Sequence, residues 1–261
     1  MILYFILTSI TFLIIHYRFY WKVSGRNRFQ DTTPFFISHR GYKEVYPENT
    51  INAFKHAEEV GFHWIELDIV VTRDGHVVCS HNFDLEKETD GFGYIFNLKN
   101  SEVKSAITRH SNKLSREINI PDLIDVFRCI NKNTKVNIEI KSPYASDFST
   151  ARALSKILDT LPKERLIISS FNPFVILYFK LFHRDVVTGF LYQNIEYLWF
   201  VNWVHPSYIH PRVDLIDQDL ISYAKSKNLG INAWTVNNIS AIEWCKSNNI
   251  DGIITDLEVV K

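Results

Sequence analysis

The chain has 261 residues, of which 46% are hydrophobic and 22% are charged, and its 29 basic residues balance its 29 acidic ones. These values are typical of a globular protein and exclude disordered, fibrous and multi-span membrane proteins. Because the net charge is zero, no broad positive field attracts polyanions, and we expect no nucleic-acid partner. The three cysteines lack C-x-x-C spacing and indicate neither a disulfide framework nor a zinc cluster.

The front of the chain is predicted to be a membrane anchor. Residues 1–15 carry no charged side chain, and an aromatic belt interleaved with cations follows them: His16, Tyr17, Arg18, Phe19, Tyr20, Trp21 and Lys22. A cleaved signal peptide needs a basic stretch before the apolar run and a small-residue cleavage site after it, and the sequence has neither. We therefore expect an uncleaved anchor helix at residues 1–22 and a linker at 23–34.

The basic residues predict the orientation of this anchor. Arg18, Lys22, Arg26 and Arg28 follow the apolar run, whereas only the terminal amine precedes it. The positive-inside rule then places the domain at residues 35–261 on the cytoplasmic side of the membrane. Fifteen helical residues reach only about 22 Å across a hydrocarbon slab of about 30 Å, so a helix lying flat in the membrane interface is the alternative.

Residues 35–261 alternate short Ile- and Val-rich runs with helical patterns, as repeated βα units do. Nine strands are predicted, at residues 35–39, 64–71, 76–80, 135–141, 166–171, 186–192, 208–210, 231–236 and 252–255. Only residues 72–75 separate the second strand from the third, which is too few for a parallel crossover, so this pair is an antiparallel hairpin turned at Asp74-Gly75.

The eight remaining strands predict an α/β fold, a closed (β/α)₈ TIM barrel with a hairpin excursion after its second strand. The alternative is an open doubly wound sheet, but no G-x-G-x-x-G turn follows the first strand. Asn49 or Thr50 is expected to cap a helix that ends at Gly61, and Pro121-Asp122 is expected to open another. Residues 100–119 are polar and poorly periodic and are predicted to be a loop.

Acidic residues gather at the predicted carboxyl ends of the strands, where a barrel carries its active site. Glu66 and Asp68 are two residues apart on one strand and therefore project from the same face. Two adjacent carboxylates repel each other unless a cation lies between them, and hard divalent ions such as Mg²⁺ and Ca²⁺ take oxygen ligands. Glu139, near the end of the next parallel strand, can complete the metal shell.

Cations and imidazoles are predicted beside this metal site. Lys141 follows Glu139 on the same face, and Arg40 follows the first strand, a pattern that suits a bound phosphate. His39 ends the first strand, and the returning hairpin carries His81 back toward it. Two histidines beside a phosphorus centre allow one to take a proton while the other gives one.

With these residues the sequence resembles the glycerophosphodiester phosphodiesterase family over nearly all of residues 36–256. The matching blocks follow in chain order: His39-Arg40-Gly41 with Pro47-Glu48-Asn49-Thr50, Ile65-Glu66-Leu67-Asp68 with Thr72-Arg73-Asp74-Gly75 and His81, Ile120-Pro121-Asp122-Leu123, Ile138-Glu139-Ile140-Lys141, Ile168-Ser169-Ser170-Phe171-Asn172, Ala233-Trp234-Thr235-Val236-Asn237, and Asp251-Gly252-Ile253-Ile254-Thr255-Asp256.

The resemblance implies a barrel hydrolase that cuts glycerophosphodiesters into an alcohol and sn-glycerol 3-phosphate with one divalent metal ion. The implied roles are an acid/base pair of His39 and His81, metal ligands at Glu66, Asp68 and Glu139, phosphate grips at Arg40 and Lys141, and an aromatic pocket wall at Trp234. Thr255 and Asp256 are expected to be structural.

The sequence departs from the family where the usual His-Asp pair is His81-Asn82, and where Lys87 is the cation nearest to a family arginine. Neither change removes a ligand or an acid/base residue, so we expect an active enzyme. Two alternatives stay open. The aromatic run within residues 190–203, together with the anchor, favours lysophospholipase D activity on membrane lysophospholipids, and Asn82 favours a catalytically inactive phosphodiester-binding protein.

Overall fold

Parallel strands close into a barrel in the structure, a computed structural model that describes residues 1–23, 29, 33–109 and 118–259. The strands are Phe35–His39 (β1), Trp64–Val71 (β2), Val77–Cys79 (β3), Lys135–Ile140 (β4), Leu166–Ser170 (β5), Val187–Tyr192 (β6), Tyr208–Pro211 (β7), Gly230–Ala233 (β8) and Gly252–Thr255 (β9). Strand β1 pairs with β2 on one edge and with β9 on the other. The predicted TIM barrel is confirmed, and the open sheet is wrong because its end strands would each lack a partner.

Strand β3 is the predicted hairpin excursion. It runs antiparallel to β2, with Ile69 opposite Cys79 and Val71 opposite Val77. Gly75 makes the turn with a φ of +87°, a left-handed conformation that suits glycine. The strand ends at Cys79, one residue before the predicted end. The chain then returns over the carboxyl end of β2 and brings His81 to the mouth of the barrel.

The helices confirm both predicted helix starts. They are Ile2–Phe19 (α1), Ile51–Glu59 (α2), Asn100–Ser105 (α3), Leu123–Cys129 (α4), Ser149–Ile157 (α5), Pro173–Phe182 (α6), Val201–Val204 (α7), Gln218–Lys227 (α8) and Ile239–Ser247 (α9). Thr50 Oγ1 accepts a hydrogen bond from Ala53 N at 3.3 Å and caps α2. Helix α4 begins directly after Asp122.

Helix α3 lies where a loop was predicted. The carboxylate of Glu102 accepts a hydrogen bond from Lys99 N at 2.7 Å and closes the first turn. Val103 is fully buried in a cluster that includes Ile95. The loop prediction was wrong over 100–105 because so short a helix, held by one buried side chain, leaves no periodic pattern in the sequence. Residues 110–117 of the predicted loop lie outside the described residues.

Helix α1 forms as predicted, and its last turn packs on the barrel: the Tyr17 hydroxyl donates a hydrogen bond to Trp203 O at 2.8 Å. Within the described ranges, no helix combines the length and the apolar composition that crossing a bilayer requires. The spanning anchor predicted for 1–22 is therefore not supported. The helix has 18 residues, about 27 Å against about 30 Å of hydrocarbon, and its last turn carries His16 and Arg18.

The linker and the cytoplasmic placement of the domain stay predictions. Arg26 and Arg28, on which the predicted orientation partly depends, lie outside the described residues, as do other parts of the linker at 23–34.

Alternation along the strands separates the packing face from the face that carries the site. Six aliphatic side chains of β2 and β4 pack outward in the core shared with the helices: Ile65, Leu67, Ile69, Val136, Ile138 and Ile140. Because successive side chains of a strand point to opposite faces, the intervening Glu66, Asp68 and Glu139 point into the barrel.

Candidate active site

A cavity of about 650 Å³ opens at the carboxyl ends of the barrel strands. Seven of the eight predicted site residues line it: His39, Arg40, Glu66, His81, Glu139, Lys141 and Trp234. The eighth, Asp68, is fully buried and stands opposite Glu139 in the pairing of β2 with β4. The structure thus brings all eight residues together at one rim of the barrel.

Glu66, Asp68 and Glu139 form a buried acidic cluster. Each offers a carboxylate oxygen, and these oxygens lie within 4.8 Å of one another. Burial and the carboxylates of Asp68 and Glu139 raise the pKa of Glu66 well above its usual value. Oε1 of Glu66 is buried without a hydrogen-bond partner among the described residues. This set of oxygen ligands, with one buried oxygen unpaired, fits a hard divalent cation such as Mg²⁺ or Ca²⁺.

Arg40 and Lys141 lie directly against this cluster. Nε of Arg40 is 3.1 Å from Asp68 Oδ2, and Nζ of Lys141 is 2.9 Å from Asp68 Oδ1 and 2.5 Å from Glu139 Oε1. Burial disfavours the charge of Lys141, but the attraction of Glu139 and Asp68 prevails and raises its pKa. Both cations also line the cavity, where a phosphate bound beside the carboxylates would meet them. That Arg40 and Lys141 bind the phosphate of the substrate stays a prediction.

Two residues with left-handed backbones hold the acidic cluster in place. Arg40 has a φ of 60°, and its backbone N–H donates a hydrogen bond to Glu66 Oε2 at 3.0 Å. Asn49 has a φ of 57°, and its Nδ2 donates to Asp68 Oδ2 at 2.9 Å while its Oδ1 accepts from Asp68 N at 3.0 Å. Such backbones are uncommon outside glycine and concentrate at functional sites.

Both predicted acid/base histidines face the cavity. Nδ1 of His39 is 2.8 Å from Oδ1 of Asp256, the residue after β9. His81 follows β3, and burial together with the positive charges of Lys141 and Arg40 lowers its pKa to about 4. A proton on His81 therefore needs a nearby negative charge to support it.

The sequence prediction missed two residues that bind the site. Asp256 was expected to be structural, yet its carboxylate contacts His39. Asn49 was considered only as an alternative to Thr50 for capping α2, yet its amide binds Asp68. The sequence did hold a signal for Asp256, because in a closed barrel the last strand lies beside the first. A carboxylate just after β9 therefore meets a histidine at the end of β1.

Trp234 belongs to an aromatic wall of the cavity. Its Nε1 donates a hydrogen bond to His210 O at 2.7 Å, and its ring meets Phe171 edge-on, with centroids 5.3 Å apart. Tyr197 and Phe200, from the aromatic run, line the same cavity. These aromatic side chains therefore line the same cavity as the carboxylates and cations described above.

Comparisons with known proteins agree with this arrangement. A sequence model described as the glycerophosphoryl diester phosphodiesterase family matches residues 39–257. The glycerophosphodiester phosphodiesterase of Caldanaerobacter subterraneus is 35% identical over 226 residues, which cover 84% of this chain and 93% of that protein.

Two solved structures share the fold. The glycerophosphodiester phosphodiesterase of Thermotoga maritima has a TM-score of 0.71 at 27% identity and covers 87% of this chain and 96% of its own. An Oleispira antarctica phosphodiesterase, solved with the product sn-glycerol-3-phosphate, has a TM-score of 0.79 at 24% identity and covers 85% and 93%. The family match runs from His39, at the end of β1, to the residue after Asp256, so this chain belongs to the glycerophosphoryl diester phosphodiesterase family and is a phosphoric diester hydrolase.

Proposed function

We propose that this protein hydrolyses glycerophosphodiesters to an alcohol and sn-glycerol 3-phosphate, with His39 and His81 as the acid/base pair. The observation that carries the proposal is the buried cluster of Glu66, Asp68 and Glu139, of which Glu66 and Glu139 line the same cavity as both histidines. Hydrolysis of a phosphodiester requires neutralisation of its charge, removal of a proton from the attacking group and donation of a proton to the leaving alkoxide. The cavity offers a group for each task.

The charged residues bind the phosphate. The carboxylates of Glu66, Asp68 and Glu139 would hold a divalent cation, which would supply positive charge beside the phosphoryl oxygens. Arg40 and Lys141 donate hydrogen bonds to the same phosphate from the rim of the acidic cluster. The aromatic wall excludes water from one side of the bound diester.

The two histidines move the protons. One imidazole takes a proton from the attacking hydroxyl as the new P–O bond forms, and the other protonates the alkoxide as the old P–O bond breaks. The attacking group is either water or the 2-hydroxyl of the glycerol. The second route gives a cyclic phosphate that water then opens, and phosphorus NMR of the early products distinguishes the two.

The test is hydrolysis of glycerophosphocholine by the full chain with Mg²⁺, Ca²⁺ or Mn²⁺, and with a chelator. We expect metal-dependent release of sn-glycerol 3-phosphate, and a loss on the order of 10²- to 10⁴-fold in His39→Ala and in His81→Ala. Near-full turnover by either variant would show that the acid/base assignment is wrong. Binding of the diester without product under any metal would instead identify a catalytically inactive binding protein.

Lysophosphatidylcholine belongs in the same assay as the second candidate substrate. The observation that favours it is the lining of the cavity by Phe171, Phe174, Tyr197 and Phe200, which offers apolar surface beside the phosphate site. A preference for lysophosphatidylcholine over glycerophosphocholine would reassign the enzyme as a lysophospholipase D.

A further inference from the structure

We propose that Glu88 is a positioning residue for His81 and supplies the negative charge that Asn82, the neighbour of His81 in the chain, does not carry. The inference rests on the proposed function for the catalytic role of His81. It adds a residue that the sequence prediction did not consider, and it accounts for Asn82 in the segment after β3.

The geometry places Glu88 beside His81 but outside the main cavity. A ring nitrogen of His81 and carboxylate oxygens of Glu88 and Glu48 lie within 4.8 Å of one another. His81 lines the main cavity, whereas Glu88 and Glu48 line a small neighbouring pocket. Glu48 is already paired with Arg40 at 2.7 Å and lies 3.8 Å from Lys43. No ion pair between described residues includes Glu88, so its carboxylate, unlike that of Glu48, is not already paired with one of their cations.

Asn82 fixes the carboxylate of Glu88. Its Nδ2 donates a hydrogen bond to Glu88 Oε1, and its Oδ1 accepts one from Lys87 Nζ at 3.4 Å. An ionised aspartate at position 82 has no proton to donate and would repel Glu88. The asparagine and the glutamate are therefore matched, with the charge at position 88 and the donor at position 82.

The backbone holds Glu88 in this place. Arg109 N donates a hydrogen bond to Glu88 O at 2.7 Å. The next residue, Thr89, is fully buried, and its N–H and its hydroxyl both donate to Leu85 O, at 2.9 Å and 2.7 Å. Hydrogen bonds on both sides of Glu88 thus hold its backbone in place, and Asn82 holds its carboxylate.

Burial disfavours the charged forms of both Glu88 and His81. Burial and the charge of Glu48 raise the pKa of Glu88 to about 7, so the carboxylate gains from a positive charge placed next to it. His81 faces two cations that disfavour its protonation and two carboxylates that favour it: Lys141, Arg40, Asp68 and Glu48. The charged groups that act on Glu88 include Glu48, Arg40 and Asp68, besides Asn82, which binds it. Arg109 lines the same small pocket. A ring nitrogen of His81 and a carboxylate oxygen of Glu88 lie within 4.8 Å of each other, so a charge on either group would favour the opposite charge on the other.

The experiment is a double-mutant cycle in the full chain with Glu88→Gln, Asn82→Asp and the two combined. Glu88→Gln is expected to lower kcat for glycerophosphocholine by about 10- to 100-fold, as loss of a group that supports a reacting histidine does. Asn82→Asp is expected to lower kcat because it sets two carboxylates against each other. The combined variant, with the charge at 82 and the donor at 88, is expected to recover most of the loss. Glu86→Gln, two residues away on the same segment, is the matched control and is expected to leave kcat unchanged.

A readout independent of turnover separates this inference from the proposed function. The imidazole pKa of His81, followed by NMR, is expected to fall in Glu88→Gln and to return in the combined variant, even if the protein acts on no glycerophosphodiester. An unchanged pKa of His81 in a folded Glu88→Gln variant would overturn the inference. So would a combined variant no more active than the weaker single variant, because a merely structural pair would not be restored by exchanging its charge.

Discussion

Oδ1 of Asp256 lies 2.8 Å from Nδ1 of His39, although 217 positions separate the two residues in the chain. Closure of the barrel brings them together, because β9 pairs with β1. Burial disfavours the carboxylate, but hydrogen bonds and charges from His39 and Lys43 prevail and hold the pKa of Asp256 well below its usual value. An ionised Asp256 accepts only, so Nδ1 of His39 carries a proton, and in the neutral form of the ring the lone pair is on Nε2.

This contact predicts the effect of Asp256→Asn. The amide keeps the shape of the side chain, but it removes the charge that fixes the tautomer of His39 and supports its protonated form. We expect kcat for glycerophosphocholine to fall by about 10²-fold with little change in KM. Asp214→Asn is the control, since Asp214 is an exposed carboxylate paired with Arg212. A kcat close to that of the unsubstituted protein would show that Asp256 only ends the strand, as the sequence prediction held.

Local patterns predicted most of the site. The two-residue spacing in Glu66-x-Asp68 and in Glu139-x-Lys141 places each pair on one strand face, and the barrel brings those faces to one rim. Contacts between distant segments could not be predicted in this way. Asp256 meets His39 only through closure of the barrel, and helix α3 depends on burial of Val103, which its own short sequence does not signal.

The acidic cluster predicts opposite effects of Glu66→Gln with and without metal. Without a divalent cation, burial and the carboxylates of Asp68 and Glu139 disfavour ionisation of Glu66, and the substitution removes this cost, so we expect the melting temperature to rise. With saturating Mg²⁺ or Ca²⁺, the unsubstituted protein is expected to gain stability from ligand binding, and the variant to gain much less. Thermal unfolding of both proteins with metal and with chelator measures the four values. An equal gain in both proteins would place the cation elsewhere.

Burial of His210 is expected to lower the free energy of unfolding in acid. The histidine is fully buried on β7, where its Nε2 accepts a hydrogen bond from Asn232 Nδ2 at 3.1 Å, and burial lowers its pKa to about 3. Above pH 6.5 the histidine is neutral in both states. As the pH falls from about 6.5 toward 3, only the unfolded state binds the proton, so the free energy of unfolding falls by at most about 1.4 kcal/mol per pH unit.

His210→Gln tests this dependence, because glutamine can accept the same hydrogen bond and does not titrate. Urea unfolding of both proteins between about pH 5 and 7.5 gives the two slopes. We expect the variant to lose less stability than the unsubstituted protein below about pH 6.5, and the difference between them to be constant above it. Parallel curves over the whole range would mean that His210 has the same pKa in the folded and the unfolded state.

A methyl group added at Gly41 is expected to destabilise the fold. Gly41 follows Arg40 with a φ of +78°, and a Cβ added there would lie 2.7 Å from the carbonyl carbon of Ala53 in α2. Backbone strain alone costs about 1 to 3 kcal/mol. The clash with the helix backbone adds to it, and a shift of the turn would disturb Arg40, whose N–H donates to Glu66. Gly75→Ala separates the two causes, since Gly75 has a φ of +87° but nothing within 4 Å of the added Cβ. Urea unfolding should therefore show a larger loss of stability in Gly41→Ala than in Gly75→Ala, and only Gly41→Ala should also lower kcat. Equal losses in the two variants would mean that strain accounts for the whole effect and that the turn tolerates contact with α2.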